Sequence, residues 1–96
     1  MLSNALNVLK VTKQLQADSF LYEKFETGLL KIEVGMVVFL SIDVTISEDD
    51  RLKIHEKLID LGYIERRSHA FDQNGVITIY PHGYYSVEDD NKIQNL

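Results

Sequence analysis

Residues 46–85 read ISEDDRLKIHEKLIDLGYIERRSHAFDQNGVITIYPHGYY, and the reading of this stretch decides the fold. Ser47 carries a hydroxyl suited to accept a hydrogen bond from an orphan amide of a first helical turn. Glu48, Asp49 and Asp50 then place negative charge at the positive end of the helix dipole. The spacing from Ser47 to Asp50 is that of a capping box with Asp in place of Glu. Gly62 stands just past Leu61, where a helix stop is expected, so the pattern predicts a helix over about 48–61. At ~100° per residue, Leu52, Ile54, Leu58, Ile59 and Leu61 fall on one broad face, with Arg51 and His55 inside it. Asp49, Lys53, Glu56, Lys57 and Asp60 fall on the other face.

A hairpin follows over about 63–80. Asn74-Gly75 is a strong signal for a type I′ turn, because both residues tolerate positive φ. A two-residue loop there sets Phe71 opposite Thr78 and His69 opposite Tyr80; a loop of Asp72 to Gly75 would shift those partners. Pro81 has no amide proton to give a ladder, so the second strand should end near Tyr80.

Upstream, Leu2, Leu6 and Leu9, followed by Val8, Val11 and Leu15, show helical spacing over residues 2–16. Asp18 or Ser19 can cap a second helical segment whose Phe20, Leu21 and Phe25 form a face, and Gly28 stops it. One bent helix and two separate helices are both compatible with this pattern. Its apolar surface suits packing on the central helix, or a homodimer contact through residues 2–27. Over 29–46 the period changes to two: Leu30, Ile32 and Val34 alternate with Lys31 and Glu33, then Leu40, Ile42, Val44 and Ile46 with Ser41, Asp43 and Thr45. The uncharged MVVFL between them reads as a buried strand, with Gly35 as a bulge or tight turn. One strand is expected here, though one long strand and a hairpin both fit. The acidic segment over residues 86–96 is expected to carry at most a helical turn and then fray.

The chain has 96 residues, enough for a single domain. Fifteen acidic residues against ten Lys and Arg give a net charge of −5, which opposes unspecific binding to nucleic acid or anionic membrane. Cysteine is absent, which excludes disulfides, thiol catalysis and cysteine zinc sites. No apolar run approaches ~18 residues, so no membrane span is expected and a cytoplasmic location is the default.

The helix ending in Leu58, Leu61, Gly62, Tyr63 and Ile64, the two strands after it, and the exit through Ile79, Tyr80, Pro81, His82 and Gly83 resemble the C-terminal part of winged-helix domains. The resemblance spans about residues 46–85 and implies a winged-helix-like α+β fold and a small DNA-binding regulator. Its DNA contacts would be Arg51 and Lys53 on the helix and Arg66, Arg67 and His69 on the wing, the one local basic cluster. The charge balance supports another reading, an α+β protein-interaction module. Its acidic face of Asp49, Glu56 and Asp60, with Glu88-Asp89-Asp90, would meet a basic partner.

Neither reading involves catalysis or a cofactor. His55 lies within the apolar helix face and is expected to be a buried, hydrogen-bonded residue. His69 and His82 approach across the hairpin without an adjacent third ligand, a weak basis for zinc. Phosphate-binding glycine loops, nucleophile elbows and H-E-x-x-H patterns are absent from the sequence.

Overall fold

A computed structural model describes residues 2–94, apart from the side chains of residues 2, 3, 69, 71–73 and 78. The protein is α+β. Helices α1 (Leu2–Gln16) and α2 (Ser19–Glu26) precede strands β1 (Leu30–Val34) and β2 (Val38–Ile42) and helix α3 (Glu48–Asp60). Then come β3 (Ile64–Arg66), β4 (His69–Gln73), β5 (Val76–Tyr80), β6 (Gly83–Tyr85) and α4 (Val87–Gln94). One antiparallel sheet has the order β1-β2-β6-β3; β4 and β5 form a separate two-stranded ribbon.

Helix α3 forms where its end signals place it. Ser47 accepts a hydrogen bond from the Asp50 amide at 3.2 Å, and Leu61 is the C-cap. Its buried stripe is narrower than expected. Ile54 and Leu58 are fully buried, whereas Leu52, Ile59 and Leu61 are exposed. The core touches the side of the helix carrying Ile54 and Leu58, and Leu52 and Ile59 lie about a quarter-turn or more beyond it.

The N-terminal segment forms two helices, broken at Asp18, whose carboxylate caps α2 through the Leu21 amide at 3.0 Å. Val11, Leu15 and Leu21 enter the core, with Val8, Phe20 and Phe25 packed against it. Leu6 and Leu9 face outward, 65% and 50% exposed.

Residues 29–46 form a hairpin and not one strand: β1 pairs with β2 from Leu30↔Ile42 to Val34↔Val38. The turn spans residues 35–37, closed by the Gly35 amide donating to the Val37 carbonyl at 3.0 Å. Pairing ends at Ile42, and Val44 stands fully in solvent in the turn before α3. Val38, Phe39 and Leu40 are buried on consecutive positions, as a strand covered on both faces requires. Val38 and Leu40 join the cluster of α1, α2 and α3. Phe39 joins Tyr80, Tyr85 and Ile93 on the opposite side and stacks on Tyr85 with ring centroids 4.9 Å apart.

The expected hairpin over 63–80 splits in two. β4 and β5 pair in the register of a two-residue loop, His69↔Tyr80 and Phe71↔Thr78, with Asn74 and Gly75 at φ +55° and +80°. β3 leaves that ladder and pairs with β6, Ile64↔Tyr85 to Arg66↔Gly83, and β6 lies between β2 and β3. Gly83 makes this insertion feasible. A Cβ there would lie 2.6 Å from Phe39 Cδ2 and 2.7 Å from the Leu40 carbonyl oxygen. The acidic C-terminal segment is helix α4 through Gln94, not a frayed tail, because Ile93 is fully buried and Asp90 pairs with Arg66.

Candidate functional site

Charge is unevenly engaged around α3. Arg51 turns back on its own helix: Nε donates to Glu48 Oε2 at 3.0 Å and Nη2 to Oε1 at 2.5 Å. Lys53 Nζ sits 4.3 Å from the centroid of the Phe20 ring, a cation–π contact. Lys57 reaches Asp18 Oδ2 at 2.8 Å, and this bond is the main cause holding the Asp18 carboxyl below its usual range. By contrast Asp49, Glu56 and Asp60 are exposed, and none makes an ion pair with a described residue.

The expected wing cluster is divided. Arg66 is not an exposed strand arginine: its side chain is 16% exposed and its Nε donates to the buried Asp90 carboxylate. Arg67 lies outside any strand and is exposed. His69 is in β4 and its backbone faces Tyr80, but its side chain is among those not described. Asp89 and Asp90 are buried, so of the C-terminal acids only Glu88 joins an exposed surface.

His55 is half-buried and hydrogen-bonded, its Nδ1 2.6 Å from the Tyr84 hydroxyl and 3.5 Å from Glu65 Oε1. Glu65 Oε2 lies 2.9 Å from His82 Nε2, and this hydrogen bond is the main cause depressing the Glu65 pKa. Tyr84 is pushed up to about 12 by burial. The cluster ties α3 to β3 and β6. His82 thus turns to Glu65, and among the described residues no group of three or more His, Asp or Glu is placed to hold a metal ion.

Two features were not anticipated. The ribbon exposes Val76, Ile77 and Ile79, the last two 67% exposed. Its root is held by buried Tyr80, whose hydroxyl donates to Met36 Sδ at 3.7 Å. The second is a cavity of about 280 Å³ where α1, the end of α3 and the start of α4 meet; Val11, Gln14, Tyr63, Ser86 and Asp89 line it. Tyr63 donates to Gln14 Oε1 at 2.5 Å and is pushed up to about 12, first by burial and then by the Asp89 charge. The Ser86-to-Asp89 capping spacing is the sequence signal that points to α4, and the Asp89 amide donates to Ser86 Oγ at 3.1 Å.

No family model matches this chain, and no curated protein or solved structure matches it either. Among the described residues no helix is long and apolar enough to cross a membrane.

Proposed function

We propose that this chain is a non-catalytic α+β interaction module whose acidic α3 face, Asp49, Glu56 and Asp60, takes a basic protein partner. The observation that carries the reading is the distribution of charge. Arg51, Lys53 and Arg66 are engaged within the chain, whereas those three acids face solvent without an ion-pair partner among the described residues. A surface of this kind attracts a basic partner and repels a polyanion. Fluorescence anisotropy with a labelled lysine-rich peptide tests it. Glu56→Lys with Asp60→Lys is expected to weaken binding about tenfold or more. Parent-strength binding by that variant overturns the assignment of this face.

A winged-helix-type DNA-binding regulator is the second reading. In its favour, α3 leads into a strand and then a separate two-stranded ribbon, with Arg67 exposed at the ribbon's root. Titration of a DNA duplex at two salt concentrations separates the readings, since phosphate contacts weaken steeply with salt. Binding at low salt that Arg67→Ala removes supports the regulator; no binding at low salt ends it. The exposed Leu6 and Leu9 on α1 support self-association through residues 2–27. If they form the contact, Leu6→Glu with Leu9→Glu converts a dimer to a folded monomer in sedimentation.

A further inference from the structure

Asp89 and Asp90 are adjacent in the chain and both buried, yet they are satisfied differently. Asp90 accepts from Arg66 Nε and, at 3.1 Å, from Gln94 Nε2. The Asp89 side chain is 7% exposed, and its nearest cation is the exposed Lys92, 3.6 Å away. Its carboxylate accepts no hydrogen bond from a described residue, and its oxygens are not sealed within protein. The position is that of the acid in a capping box, but the carboxylate does not take the Ser86 amide. Buried charges are ordinarily paired closely, and among the described residues only Lys92 lies within ion-pair distance of Asp89. Here the missing donor has a way in, because Asp89 lines the cavity beside Tyr63, Gln14 and Ser86.

We propose that this cavity receives one cationic side chain, a lysine ammonium of the basic partner, which pairs with Asp89. The inference rests on the reading of the protein as a module for basic partners and adds the point at which a single residue is inserted. Size supports it: about 280 Å³ falls just below the ~300–1,000 Å³ of pockets for drug-sized ligands and suits one side chain. The lining matches an extended lysine. Val11 and Val38 offer apolar surface to the stem, while Asp89, Ser86 and the Gln14 amide offer acceptors to the head. Lys10 also lines the cavity and makes no ion pair with a described residue. Its positive charge at the cavity wall would oppose an incoming cation.

The test uses the whole chain and two probes, the lysine-rich peptide and Nα-acetyl-lysinamide, followed through backbone amide chemical shifts. In the parent, both probes are expected to shift Tyr63, Ser86 and Asp89. Asp89→Asn should weaken peptide binding by about tenfold or more, the worth of one charge-assisted hydrogen bond. Lys10→Met should strengthen binding; a weaker complex would mean that the cavity takes an anion, and the proposal falls. Asp89→Asn should remain folded, with thermal stability equal to or above the parent's, because it removes a poorly paired buried charge. Peptide bound with parent affinity by Asp89→Asn but lost on Glu56→Lys with Asp60→Lys overturns the cavity and leaves the acidic module standing. If the peptide does not bind the parent, the module reading fails. The lysinamide then decides the cavity alone: shifts at Tyr63 and Ser86 that Asp89→Asn abolishes uphold it, and their absence overturns it.

Discussion

The β1–β2 and β4–β5 hairpins have the same local design and opposite surroundings. Each is an antiparallel pair of five-residue strands rich in β-branched or aromatic side chains. In the first, Leu30, Val38 and Leu40 are buried under α1, α2 and α3, and β6 pairs along the outer edge of β2. In the second, Val76, Ile77 and Ile79 stand in solvent and only the root residue Tyr80 is buried among the described side chains. Local pattern and turn chemistry made both ladders, but neighbours decided which one became core. The first hairpin is therefore expected to carry global stability, and the second to depend mainly on its turn and on Tyr80 at its root.

Leu40→Ala deletes a fully buried side chain at the centre of the sheet and should cost about 2–5 kcal/mol in chemical denaturation. Next, Gly75→Val places a β-branched residue at φ +80° and should cost about 1–3 kcal/mol, felt within the ribbon. Hydrogen exchange is expected to quicken at β4 and β5 amides while β1 and β2 stay protected. Equal loss in both hairpins would break the separation.

A pH effect belongs to the first hairpin. Asp43 is held down to about 2 by hydrogen bonds from the Thr45 hydroxyl and amide and from Lys31. Its folded pKa lies below its ordinary 3.8, so its contribution is present above pH ~4 and is lost as pH falls toward 2. Asp43→Asn should flatten acid destabilisation over that window, read as the change in melting temperature between pH 4 and pH 2. Ile77→Ala with Ile79→Ala should shift global stability by no more than about 0.5 kcal/mol, because both residues stay mostly in water on folding. A loss comparable to that of Leu40→Ala would show that the ribbon's apolar surface is covered in solution.

The local elements were legible in the residues themselves. Ser47 and Gly62 bounded α3, Asp18 capped α2, and Asn74-Gly75 set the β4–β5 register, because caps and turns are governed by neighbours a few positions apart. The exposed acids Asp49, Glu56 and Asp60 followed from helical periodicity alone. What the tertiary structure decided was every choice among long-range partners. β3 pairs with β6 instead of continuing the ribbon, since Gly83 lets β6 pass close against Phe39 and Leu40. Arg66 is drawn inward by Asp90, which turns an expected wing contact into a buried ion pair and an expected tail into α4. The cavity at Asp89 exists only because α1, the end of α3 and α4 converge, over sequence separations that no local pattern records. Hydrogen-bonding geometry near in sequence is written in residue types; the pairing of buried charges and strand edges depends on which surfaces meet, and that is settled when the core closes.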